Sequence, residues 1–98
     1  MFTVHTLPGF DHWLNGIRDR STRLRLLRRL ERFQIGQWGD TKPVGDGVME
    51  AREHFGPGWR MYYVVRGAEV VVMLAGGDKS SQETDIAKAR EQAKRLRD

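Results

Sequence analysis

The stretch Arg60-Met61-Tyr62-Tyr63-Val64-Val65-Arg66-Gly67-Ala68-Glu69-Val70-Val71-Val72-Met73-Leu74-Ala75 decides the fold. Two β-rich runs, 60–66 and 69–75, flank Gly67-Ala68, whose leading glycine suits a two-residue type II′ hairpin. From Val70 to Ala75 every position is apolar, which predicts a strand covered on both faces and central in its sheet. Because successive strand residues point to opposite sides, Trp59, Met61, Tyr63 and Val65 share one face. Arg60, Tyr62, Val64 and Arg66 share the other.

Upstream, Val48 to His54 reads as a third strand of the same meander, with Met49, Ala51 and Phe55 on one side and Glu50, Arg52 and His54 on the other. A five-residue connection, Phe55 to Trp59, sets His54 opposite Arg60 and Arg52 opposite Tyr62, so that one face carries Arg52, His54, Arg60 and Tyr62. A four-residue connection, Phe55 to Gly58, instead sets Trp59 opposite His54 and separates Arg52 from Arg60. The Gly-rich stretch from Gly36 to Gly47, with Pro43, Asp40 and Asp46, predicts a surface connection.

Further upstream the apolar period changes. Phe10, Trp13, Leu14 and Ile17 form a helical stripe that ends near Asp19. A second helix starts near Ser21 or Thr22 and runs to Gly36, with Leu24, Leu27, Leu30 and Phe33 expected inward and Arg23, Arg25, Arg28, Arg29 and Arg32 outward. That arginine strip reads either as a solvated helix face or as an RNA-contacting surface. Phe2 to Thr6 reads as a first strand, closed by Leu7-Pro8-Gly9. Downstream, Ser80 and Glu83 have capping-box spacing ahead of a helix with a thin stripe of Ile86, Ala89, Ala93 and Leu96. The resulting order is β-α-α-β-β-β-α, an α+β fold in one domain spanning 1–98.

Composition narrows the function classes. A chain of 98 residues buries ~60–70% of its extended surface on folding, enough for a core without staples. With no cysteine, disulfides and thiolate metal sites are excluded, and three scattered histidines lack metal-ligand spacing, so neither metal nor cofactor is expected. His5 and His12 read as structural, and Asp78 and Asp85 as local caps or pairs. No apolar stretch approaches the ~20 residues of a membrane span, and the N-terminal residues lack a signal-peptide pattern, which predicts a cytoplasmic protein without membrane partners. Lys+Arg number 17 against 13 Asp+Glu, and only four of the cations are lysines, a balance that suits phosphate-bearing or acidic partners.

The strand-borne cluster suits metal-free RNA cleavage. A base must take the 2′-OH proton, cations must stabilise the charged phosphorane and an acid must protonate the leaving oxygen. His54 is the candidate proton carrier. Arg52, Arg60 and Lys79 are the candidate electrostatic stabilisers. Lys79 follows Gly76-Gly77-Asp78, where two glycines let backbone approach a ligand, and the start of the last helix offers N–H groups to phosphate. Plain structural readings stand beside these: His54 as a surface residue, Tyr62 packed under the last helix, Arg60 paired with Glu50 or Glu53. Trp13 and Trp59 read as core, and only Trp38 as exposed.

The stretch Gly47-Val48-Met49-Glu50-Ala51-Arg52-Glu53-His54-Phe55-Gly56-Pro57-Gly58-Trp59-Arg60-Met61-Tyr62-Tyr63 resembles the toxins of the RelE/ParE superfamily. The HigB-like addiction-module-killer branch is the nearest likeness, and Leu74-Ala75-Gly76-Gly77-Asp78-Lys79-Ser80-Ser81-Gln82 with Asp85-Ile86 resembles its second signature. The resemblance implies a helical hairpin and a C-terminal helix packed on a small, mostly antiparallel sheet. It implies a toxin that cleaves mRNA on the ribosome, held inactive by a cognate antitoxin, commonly a helix-turn-helix protein encoded by the neighbouring gene. It places Arg60 and Lys79 as cations at the scissile phosphate and Arg52 and His54 as basic residues of the second strand, while Tyr62 on the strand face and Arg25, Arg28, Arg29 and Arg32 on the helix strip are the candidate RNA contacts read from the residues themselves. Residues 80–98 contain neither the Tyr nor the His that ribonuclease members carry near the C-terminus. Three alternatives follow: His54 takes that role, the cations act by charge alone, or the chain does not cleave RNA. A ParE-like inhibitor of DNA gyrase and a basic RNA-binding module share the pattern without needing a proton carrier.

Overall fold

The computed structural model describes residues 1–97; Asp98, the last residue of the expected domain span, lies outside the described residues. The elements are β1 (Thr3–Thr6), α1 (Pro8–Asn15), α2 (Arg20–Gln34), β2 (Thr41–Gly45), β3 (Val48–Arg52), β4 (Arg60–Arg66), β5 (Val70–Gly77), a 3₁₀ turn (Lys79–Ser81) and α3 (Gln82–Arg97). The strands form one mixed sheet in the order β1-β5-β4-β3-β2, antiparallel except that β1 runs parallel to β5. None of the described helices is long and apolar enough to cross a membrane.

β5 is covered on both faces, as its unbroken apolar run predicts. Val71 and Met73 join the core under α1 and α2. Val72 and Leu74 join the core under α3. Alternation along β4 also holds: Met61 and Tyr63 enter the first core, Tyr62 and Val64 the second.

Several details differ from the sequence reading. The Gly36–Gly47 connection contains a strand, β2, whose Pro43 is tolerated because β2 is the edge of the sheet. β2 turns into β3 through Asp46-Gly47, both at positive φ (54° and 78°), the Asp-Gly dipeptide that a type I′ hairpin favours. Between β4 and β5, Arg66 pairs with Val70, so Gly67, Ala68 and Glu69 form a three-residue turn. The last helix is led in by Asp78, whose carboxylate accepts from the Ser80 amide at 2.8 Å, in place of a Ser80 capping box.

On α2 the buried stripe is Thr22, Leu26, Arg29, Leu30 and Phe33, while Leu24 and Leu27 are 43% and 40% exposed. Leu24 and Phe33 are nine residues apart, about two and a half helical turns, so they lie on opposite sides and cannot share an inward face. Trp38 is not exposed either: it stacks on Tyr63 with centroids 5.6 Å apart and planes 13° from parallel.

Candidate functional site

β3, β4 and β5 reach a common end where Arg52, Arg60 and Gly77 stand side by side in register. The chain leaves the ladder after Arg52, through a 53–59 loop in which Gly56 and Gly58 hold positive φ (57° and 80°). Arg52 therefore faces Arg60, and Glu50 faces Tyr62. Both expected registers are off. The observed one is slipped by two residues from the five-residue alternative, and an even slip keeps every strand side chain on its predicted face.

Arg60 is 8% exposed, and its guanidinium folds back on the loop. Nη1 donates to the carbonyls of Gly58 (3.1 Å), Trp59 (3.2 Å) and Glu53 (3.4 Å), while Nε is buried with no partner among the described residues. Neither Glu50 nor Glu53 neutralises it: Glu53 binds Arg29 at 2.5 Å, and Glu50 binds Tyr62 and Gln82. Among the described residues, no carboxylate forms an ion pair with Arg60. Lys79 lies across the same turn. A Cβ on Gly58 would stand 3.3 Å from Lys79 Cβ and 3.5 Å from Arg60 Nη1, and the Lys79 amide donates to the Pro57 carbonyl at 3.4 Å. The Lys79 side chain is exposed.

Arg52 and His54 meet through a residue the sequence did not single out. Asp40 accepts from Arg52 Nη2 at 2.8 Å and touches His54 Nε2 at 2.5 Å. Arg52's hydrogen bond first, then His54's, holds the Asp40 carboxyl down at about 2. His54 itself is 71% exposed. Asp40 sits at the foot of β2, which is why it was not found: once Thr41–Gly45 is read as loop, nothing brings residue 40 alongside residue 52.

Arg29, expected on the outer strip, is the positioning residue of this end. It is 3% exposed. Its Nη1 donates to the Arg52 carbonyl and to Glu53 Oε2, and its Nη2 to the carbonyls of Trp38 (2.9 Å) and Asp40 (2.6 Å). One buried guanidinium thus ties α2 to both segments that carry Asp40, Arg52 and His54, and it is not available to RNA. Arg25 stays on the surface and lays its guanidinium 3.6 Å over the Phe55 ring of the 53–59 loop. Arg28 and Arg32 are exposed on the same helix.

Tyr62 is likewise withdrawn from any ligand. It is fully buried under α3 and donates to Glu50 Oε2 at 3.2 Å. Burial, then the Glu50 charge, pushes its phenol well above the ordinary value. The glycines at 76 and 77 leave room for the protein's own side chains and not for a ligand, since a Cβ on Gly76 would collide with Trp13 and one on Gly77 with Asp85. Ahead of α3 the Ser80 amide and hydroxyl both donate to the Asp78 carboxylate, which places an anion of the protein's own at this turn.

The arrangement brings together Arg60 and Lys79 across one turn, with Arg52 beside Arg60 and His54 bridged to Arg52 by Asp40. Two guanidinium groups and an ammonium group suit a phosphate, and an imidazole oriented by a carboxylate suits proton transfer. Among the described residues, no group of three or more His, Asp or Glu is placed to hold a metal ion.

Comparison with known proteins adds three likenesses. Residues 13–97 match the family described as phage-derived protein Gp49-like. An uncharacterized protein of Haemophilus influenzae is 37% identical over 93 residues, 95% of this chain and 94% of its own length. The solution structure of a conserved hypothetical protein from Helicobacter pylori shares the fold at a TM-score of 0.56 and 20% identity, over 82% of this chain and 97% of that one.

Proposed function

Because the chain belongs to the phage-derived Gp49-like family, whose members are commonly toxins of toxin–antitoxin systems, we propose that it is such a toxin, with the RelE/ParE fold of the HigB-like branch. Within that role it is a metal-independent endoribonuclease that cuts mRNA on the ribosome in the cytoplasm. Its partner is a cognate antitoxin, a helix-turn-helix protein encoded beside it.

One observation carries the nuclease reading: a nearly buried Arg60 that, among the described residues, hydrogen-bonds only to carbonyls and forms no ion pair, with the exposed Lys79 across the Gly58 turn. A buried cation without an anion is costly, and a phosphate placed there supplies the missing charge. Arg60, Lys79 and Arg52 then stabilise the phosphorane as the 2′-oxygen bonds to phosphorus and the bond to the 5′-oxygen breaks, the departing oxygen taking its proton from water. His54 takes the 2′-OH proton. Its Nε2 is engaged by Asp40, which leaves Nδ1 for the exchange. The exposed Arg25, Arg28 and Arg32 make salt-sensitive contacts to the RNA backbone.

Inducible expression tests this. Wild-type chain should stop growth and cut transcripts, and Arg60→Ala with Lys79→Ala should slow cleavage by about 10²–10³-fold or more. Growth arrest with intact mRNA and gyrase-dependent DNA breaks would instead establish the gyrase-inhibitor alternative.

A further inference from the structure

Trp13 and Trp59 pack against the core, and both rings are only partly buried and meet 6.2 Å apart and 64° from parallel. Trp13 rests on Gly76, and the Trp59 indole nitrogen lies 3.2 Å from where a Cβ on Gly56 would stand. With Gly16 and Ile17 they floor an open trough between the α1–α2 turn and the 53–59 loop, and Arg18 and Asp19 stand on its rim. The rim carboxylate is occupied, since Asp19 accepts from the Thr22 hydroxyl at 2.8 Å.

Three features select the occupant. The trough presents two indoles set edge to face, so a planar π system can stack on one ring against the edge of the other, and any base has a π face. The surroundings are net cationic: Arg18 and Asp19 on the rim offset each other, but Arg60 directly follows Trp59 at the start of β4 and Arg25 lies over the 53–59 loop. Finally, Trp59 and Arg60 are consecutive, and their side chains leave the strand on opposite faces. A strand of nucleic acid rounding this end of the sheet meets cations on the α3 side and indoles on the α1 side. We propose that the Trp13–Trp59 trough stacks one unpaired base of an RNA whose neighbouring phosphate lies at Arg60 and Lys79. This rests on the RNA reading above and adds to it a base-stacking subsite of aromatic side chains, the usual way single-stranded RNA is engaged.

The test uses the chain's own fluorescence. A Trp38→Phe variant leaves only Trp13 and Trp59 emitting, and is titrated with a non-cleavable 2′-deoxy hexanucleotide and with an abasic sugar-phosphate strand of the same length. The base-bearing strand should quench the emission while the abasic strand binds without quenching. Trp59→Leu should weaken the base-bearing strand by about tenfold or more and leave abasic binding unchanged, while Trp59→Phe retains most of the affinity. Equal quenching by both strands, or equal loss on Trp59→Leu, overturns the subsite while leaving the RNA reading intact. If neither strand binds the wild-type chain, the subsite is overturned, while the RNA reading stands or falls separately on transcript cleavage in the inducible-expression test. An acidic peptide that quenches where the oligonucleotide does not identifies the trough as a protein-docking site and overturns the proposal. The quenching arm requires no change in the trough, so it stands even where Trp59→Leu does not fold.

Discussion

Against α1 and α2 the sheet turns Met61, Tyr63, Val71 and Met73; against α3 it turns Tyr62, Val64, Val72 and Leu74. The first face meets large partners. Phe33 packs on Tyr63 with centroids 4.8 Å apart, and Phe10, Leu14, Leu26 and Leu30 fill the rest. The second face meets small ones, Ala89 and Ala93, and also holds Glu50 and Arg60, each with an unpartnered buried polar atom. Apolar packing stabilises in proportion to the area removed from water, so the aromatic face holds the fold. Incompletely satisfied charge destabilises, so its place is the α3 face, next to the candidate site.

Unequal truncations test that difference most directly. Phe33→Ala removes a fully buried ring and should cost about 3–5 kcal/mol in urea unfolding. Leu96→Ala removes a partly buried contact at the end of α3 and should cost only about 1 kcal/mol. Equal losses would mean that α3 is as firmly packed as the helical hairpin, and the contrast between the faces would collapse.

A polar substitution on the α3 face sharpens it. Tyr62→Phe leaves the buried Glu50 with Gln82 alone and should cost about 1–3 kcal/mol. It also has a pH signature. The Tyr62 phenol is raised above its ordinary 10.0, first by burial and then by Glu50. A raised pKa means the folded state keeps a proton that the unfolded state releases. The contribution is therefore complete below about pH 10 and is lost as pH rises through the folded value. Stability measured by circular dichroism should fall more steeply above pH 10 in the wild type than in Tyr62→Phe.

The same contrast explains what the sequence made legible. Apolar patterning is a strong signal where residues are buried, so the faces of β4, the two-sided cover of β5 and the stripe Ile86, Ala89 and Ala93 are readable, although the central strand is β4 and β5 lies one place from the edge. Register was not, because the 53–59 loop is ordered by glycine dihedrals and backbone bonds that leave no apolar pattern. Arg60 and Lys79 were placed correctly relative to each other because strand order alone brings Gly77 beside Arg60. Arg29 was misplaced because an arginine among arginines carries no mark of burial; only the four acceptors it meets distinguish it. β2 had a usable signal in Asp46-Gly47, outweighed by Pro43 and the short run before it.

The smallest expected effect lies where the strand ends gather the charged groups, at Asp40. Its carboxyl is lowered from 3.8 to about 2, chiefly by Arg52 and next by His54. A depressed pKa contributes stability that is fully present above the unfolded value, near pH 4, and is lost as pH falls through about 2. The group is open to solvent, so the gain in global stability is small, and the informative quantity is the titration midpoint itself. Carbon-detected NMR of the Asp40 carboxyl should give a midpoint near 2 in the wild type. Arg52→Ala should move it back toward 3.8 by more than His54→Gln does, in the order of the two causes. A wild-type midpoint at the ordinary value would mean that the carboxylate does not bridge Arg52 and His54. The imidazole would then have no fixed orientation relative to Arg60, and proton transfer by His54 would lose its structural basis while the cationic phosphate site remained.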